Sequence, residues 1–258
     1  MDHYIRFSFA LTPRMHAFIE LRNALQCIHA AQQKQDAYGW LQAVYDLQES
    51  LFGSAARKPV IPELVGVMQA IRSRLTALAT QHHMFKKPML QACDALMEHE
   101  NKLTTAIPEL LHFLAEDGLI QAWVNCQKKQ DWLAHRRFYP CTLSTVWQTL
   151  GMHEALAEQL KVLHTAALHV DAMLNDFVLW KEMMATHGYD QVIPSSRDES
   201  YGLLIVGLEP QWVQRGIIPE FSGNKHAVRI RFQQWHVGEE QRPFDQNIPY
   251  QRMLVPIE

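Results

Sequence analysis

The chain has few of the motifs that announce chemistry. It contains no Gly-x-x-x-x-Gly-Lys phosphate loop, no Gly-x-Gly-x-x-Gly after a strand, no Gly-x-Ser-x-Gly elbow and no His-Glu-x-x-His pair. Its 4 cysteines, Cys27, Cys93, Cys126 and Cys141, are widely spaced and form no Cys-x-x-Cys pair. A zinc ribbon or dithiol redox motif is therefore not expected, and buried free thiols are. No apolar run approaches the roughly 18 residues that span a bilayer. The opening Met-Asp-His-Tyr-Ile-Arg lacks the basic-then-apolar layout of a signal peptide, so the expected location is the cytoplasm, with no membrane partner. A basic excess is also missing: 24 Lys plus Arg against 27 Asp plus Glu leave a formal charge of −3. That balance argues against wholesale coating of nucleic acid, so any anion binding must be local. The 14 histidines are scattered, with no acid or cysteine set at ligand or nucleophile spacing. A protein without catalysis, cofactor or metal is the expectation.

What is present is periodicity. At 258 residues and 48% hydrophobic content, the chain has ample apolar material for one large domain or two modest ones. Tyr4 to Phe9 alternates and predicts a short strand. Thr12-Pro13 then starts a helix, threonine as cap and proline in the first turn, with a stripe Met15, Phe18, Ile19, Arg22, Leu25. Arg22 in that stripe reads either as a snorkelling side chain or as a cation projecting into a groove. Asp36 caps a helix to about Leu51, and Pro62 opens another through about Thr80. Arg57 and Lys58 lie between them as two adjacent loop cations. His82, His83, Lys86 and Lys87 form a basic connector, after which Pro88 and Pro108 each begin a helical segment and Gly118 marks a break.

From His153 to about His187 there is neither proline nor glycine, and apolar residues from Leu156 to Trp180 recur at three- and four-residue steps. This predicts the chain's longest helix. His164, His169, Asp171 and Asp176 on it are expected to be polar helix faces rather than a metal site, since none fits Glu-x-x-His. After Gly188 the composition changes. Tyr201 to Leu208 reads as a central strand, Glu209 to Phe221 as a long connection, and Tyr250 to Val255 as a final strand. The fold class is therefore α+β. A mainly helical domain is expected over residues 10–190, where dimerisation is placed, with a small, mostly antiparallel sheet formed by residues 1–9 and 191–258.

Two stretches carry binding hypotheses. Val228 to Gln233 alternates, so Val228, Ile230 and Phe232 take one face of a strand and Arg229, Arg231 and Gln233 the other. Ser222-Gly223-Asn224 supplies turn residues before it, and Lys225 and His226 stand at its mouth. The cations form either a wet face or an anion-receiving patch. Separately, residues 128–139 interleave cations with aromatics, and Trp132, His135, Arg136, Arg137 and Tyr139 suit either a solvated loop or a nucleic-acid-binding adaptor.

Ser222-Gly223-x-Lys225 followed by Ile230-Arg231-Phe232 resembles the closing β motif of the cell division protein ZapD family, the Z-ring-associated proteins D. Leu11 to Arg22, Phe113-Leu114-x-Glu116-Asp117-x-Leu119-Ile120, and the long helix leading into Leu203 to Leu208 are similar in order and spacing. The resemblance implies a helical domain plus a β domain, a homodimer and no catalysis. It implies binding to the C-terminal tail of FtsZ, the tubulin-like division GTPase, and cross-linking of its filaments at the midcell division site. Lys225 and Arg231 match basic positions that the family links to tail binding, while Arg229 and His226 are added from their place on the same element. The chain departs from the family pattern at Glu20-Leu21-Arg22 and at Gly118, where basic residues are common, so no basic role passes to Glu20 or Gly118. Arg22, Arg57 and Lys58 are candidates to replace them. No nucleic-acid partner is expected from the resemblance.

Overall fold

The computed structural model describes residues 4–52, 60–129, 140–176, 179–193, 201–238 and 240–257. The fold is α+β, with two compact units: Ala17–Asp171, and Met1–His16 together with Ala172–Glu258. Among the described residues, no helix is long and apolar enough to cross a membrane.

The helical unit draws on α1 (Pro13–Gln33), α2 (Ala37–Phe52), α3 (Val60–Gln81), α4 (Lys86–Glu116), α5 (Gly118–Lys129), α6 (Pro140–Thr149) and α7 (Met152–Asp176). Several starts are set by capping oxygens. Thr12 Oγ1 accepts from Met15 N at 3.3 Å, Asp36 Oδ1 from Gly39 N at 2.9 Å, and Asp117 Oδ1 from Leu119 N and Ile120 N at 3.0 and 2.9 Å. The core includes Trp40 edge-on to Trp147, with centroids 5.8 Å apart, and the fully buried Leu64, Val67, Met68 and Ile71 of α3.

Two helical expectations are corrected. Pro108 does not begin a segment but lies inside α4, the longest helix described. The seam Leu96, Leu103, Leu110, Leu114 runs straight past it, and that burial outweighs the roughly 3 kcal/mol an interior proline costs. The helix expected to reach His187 ends at Asp176. Beyond it come β2 (Lys181–Ala185) and β3 (Tyr189–Val192), joined by a tight corner that the bridge between Thr186 and Tyr189 closes and in which His187 and Gly188 take φ of 50 and 65°. The β unit therefore begins before residue 191. The thiol expectation also fails at Cys27, which is exposed on α1.

Among the described residues the β unit holds two four-stranded sheets rather than one. The first orders β1 (Ile5–Ala10), β4 (Leu203–Leu208), β8 (Ile248–Val255) and β2. The second orders β3, β6 (Ala227–Gln234) and β5 (Ile217–Asn224), with β7 (Arg242–Pro243) also on β6. All pairings are antiparallel. The predicted long connection thus contains a short helix, α8 (Pro210–Gln214), and an entire strand, β5. One apolar core serves both sheets, combining Leu204, Val206, Leu208, Ile248 and Tyr250 with Ile217, Val228, Ile230 and Phe232. Phe9 stacks on Phe221 at 5.5 Å, and Phe232 meets Tyr250 at 5.6 Å. A polar tie joins the sheets as well: the Tyr250 hydroxyl on β8 donates to Asp190 Oδ2 on β3, and Arg252 Nη1 lies 3.7 Å from the same oxygen.

Candidate functional site: a cationic β-hairpin face

The alternation in β6 becomes a two-faced strand as far as Phe232, but Gln233, expected outside with the arginines, is buried, where its amide donates to Glu220. Val228, Ile230 and Phe232 are fully buried, while Arg229 and Arg231 between them are exposed. The hairpin that carries them turns at Lys225 and His226, both exposed. Asn224 Oδ1 accepts from His226 N at 2.9 Å and from Ala227 N at 3.4 Å, closing the reversal with its own side chain. Gly223 takes φ 135°, and a Cβ there would lie 2.1 Å from the Ala227 carbonyl oxygen. Only glycine fits that position. The turn-forming Ser222-Gly223-Asn224 therefore ends β5, and the corner lies one step further on.

Register adds residues that sequence reasoning missed. Arg229 stands between Gln191 of β3 and Ser222 of β5, and Arg231 between Tyr189 and Glu220. Glu220 is the acid on this face, and its Oε2 accepts from Gln233 Nε2 at 2.9 Å. Neither arginine has an ion-pair partner among the described residues. The two arginines thus pair with no described acid, and the strand fixes the spacing of the two residues on one face. Its chemistry is that of a receptor for carboxylates, with each arginine able to present a planar fork of donors.

Of the other expected cations, only Arg22 is among the described residues. Arg22 belongs to the helical unit, where Nη1 lies 2.8 Å from Asp171 Oδ1 of α7 and Nη2 lies 3.2 Å from Asn23 Oδ1. Its charge is engaged within that unit. Arg57 and Lys58 lie outside the described residues, as do Trp132, His135, Arg136, Arg137 and Tyr139. Two of the α7 histidines pair with histidines of other helices, while His153 stacks on Trp147 of α6. His169 Nδ1 is 2.9 Å from His99 Nε2 of α4, and the His164 ring lies 6.0 Å from that of His29 on α1. Burial, reinforced by the neighbouring imidazole, pushes the pKa of both His99 and His164 down. Among the described residues no group of three or more His, Cys, Asp or Glu is placed to hold a metal ion.

Fold and site together define an α+β protein whose β unit presents a cationic hairpin face. No protein-family model matches the chain, and no curated protein matches it.

Proposed function

We propose that the protein is a non-catalytic, dimeric cytoplasmic cross-linker that acts at the midcell division site. Lys225, His226, Arg229 and Arg231 receive the C-terminal tail of FtsZ, and the dimer joins neighbouring filaments. The observation that carries this reading is the pair of exposed arginines on one strand, without ion-pair partners among the described residues, in the motif that resembles the family's tail-binding segment. Exposed ion pairs contribute only roughly 0.2–1 kcal/mol each and weaken with salt, so one tail binds weakly. A filament displays many tails, and two linked sites gain roughly 10²–10⁴ in avidity when both engage.

The test is co-pelleting with polymerised FtsZ from the same cell, with and without the FtsZ C-terminal tail, across a salt series. Tail-dependent bundling that fades with salt is the expected result. Bundling that survives Arg231→Glu at low salt removes the β face as the tail site. A forced monomer that bundles as well as the dimer removes bivalency as the mechanism.

A further inference from the structure

The outer edge of β5 offers more to a peptide than charge. Among the described residues β5 ends its sheet and pairs only with β6. The turn at Lys225 and His226 makes Asn224 and Ala227 the closing pair, so Ser222 and Glu220 also direct their main-chain groups at β6, opposite Arg229 and Arg231. Independent bonds on the far side of β6 agree with this phase. Phe232 N donates to Gly188 O at 2.8 Å, and Phe244 N donates to Phe232 O at 2.9 Å, both away from β5. By alternation Phe221 and Gly223 aim their N–H and C=O groups outward, and among the described residues no strand pairs with β5 on that side. Pro219, two residues earlier, has no N–H to offer and is buried, so it blunts the rest of the edge. The open template is thus Phe221 to Asn224.

We infer that an extended peptide adds to this edge as a further strand, bonding through the main chain of Phe221 and Gly223 and reaching Arg229 with an acidic side chain. The charges of the face set the register. A peptide residue opposite Ser222 shares the outer face, with only a serine between it and Arg229; across two strands the Cα atoms are about 10 Å apart, within joint reach of an arginine and a carboxylate. A residue opposite Glu220 meets a carboxylate instead, which excludes an acid there. The residue between them falls beside Phe221, half-buried and stacked on Phe9, and is therefore apolar. The edge selects a peptide carrying an acid, then an apolar residue, then a residue that is not acidic. Strand addition of this kind draws affinity from the main chain and selectivity from alternate side chains.

This inference rests on the tail-binding reading, and its test separates the two. The full chain is titrated with a synthetic FtsZ tail peptide at low salt while amide hydrogen exchange is followed by NMR. A second peptide has the same side chains but carries N-methyl groups on its edge-facing amides. We expect exchange at Phe221 and Gly223 to slow about tenfold or more at saturation, and N-methylation to weaken binding about tenfold with charge unchanged. Salt-sensitive binding with no slowing at Phe221 and Gly223 overturns strand addition and leaves the cationic face standing as the tail site. Absence of binding at low salt overturns both.

Discussion

Tyr250→Phe probes the tie between the two sheets beneath the hairpin. The side chain is 1% exposed, so the substitution keeps the ring against Phe232 and removes only the hydroxyl that donates to Asp190. A hydrogen bond to a charged acceptor contributes roughly 1.5–3 kcal/mol. At about 2–4 °C per kcal/mol for a chain of this size, a loss of about 2 kcal/mol lowers the melting temperature by about 4–8 °C. The pH dependence supplies a second signature. Burial first, and then the Asp190 carboxylate, push the Tyr250 pKa above its ordinary value of 10.0. Because the folded pKa is raised, the contribution of this phenol is complete below about pH 10, and it is lost above that as the unfolded chain ionises first. The loss runs at about 1.4 kcal/mol per pH unit, so the gap between the two proteins narrows by about that amount at pH 11. Thermal melts of both from pH 8 to 11 measure it. A gap under about 1 °C at pH 8, or one that stays constant to pH 11, refutes the reasoning.

Gly223→Ala forces a Cβ toward the Ala227 carbonyl at positive φ; the expected cost is roughly 1–3 kcal/mol in urea unfolding, with weaker tail binding. Arg229→Glu lies on an exposed face opposite Ser222 and should change stability by no more than about 0.5 kcal/mol, whereas Arg231→Glu faces Glu220 and should cost up to about 1 kcal/mol; both should abolish salt-sensitive co-pelleting. In the helical unit, His99 and His164 have lowered pKa values, so their contribution is complete above about pH 6.5 and is lost as pH falls through their folded values. Circular dichroism melts should show a drop between pH 7 and 5 that His99→Gln with His164→Gln flattens.

The α+β class was legible because most elements obey their own period. Alternation placed Val228, Ile230 and Phe232 inside and Arg229 and Arg231 outside, and capping residues placed the starts of α1 and α2. The failures come from pairing that acts at long range. Lys-Glu-Met-Met-Ala at residues 181–185 are residues that favour helix, yet they form β2 because β8 bonds to them from Lys181 opposite Arg252 to Ala185 opposite Ile248. Tertiary hydrogen bonding overrides local preference there. Similarly, Pro219 and Gly223 disguise β5 as a connection, although an edge strand tolerates a proline whose nitrogen faces outward. Register is the deepest omission. That Glu220 and Ser222 stand opposite Arg231 and Arg229 is a property of the folded hairpin that no local pattern in the sequence discloses.

The strength of a single site follows from the same residues. Three exposed cations at roughly 0.2–1 kcal/mol each give at most about 3 kcal/mol, and four main-chain bonds at roughly 0.5–1.5 kcal/mol each add about 2–6. Their sum, about 3–9 kcal/mol before the entropy of ordering a peptide, corresponds to dissociation constants from micromolar to weaker than millimolar. A nanomolar complex with one tail needs about 12 kcal/mol, which the hairpin cannot supply alone. Tight monovalent binding would therefore reveal a second contact surface, whereas weak binding that becomes strong on filaments fits two hairpins acting together. The affinity of one isolated tail thus discriminates between a site confined to β5 and β6 and one that extends beyond them.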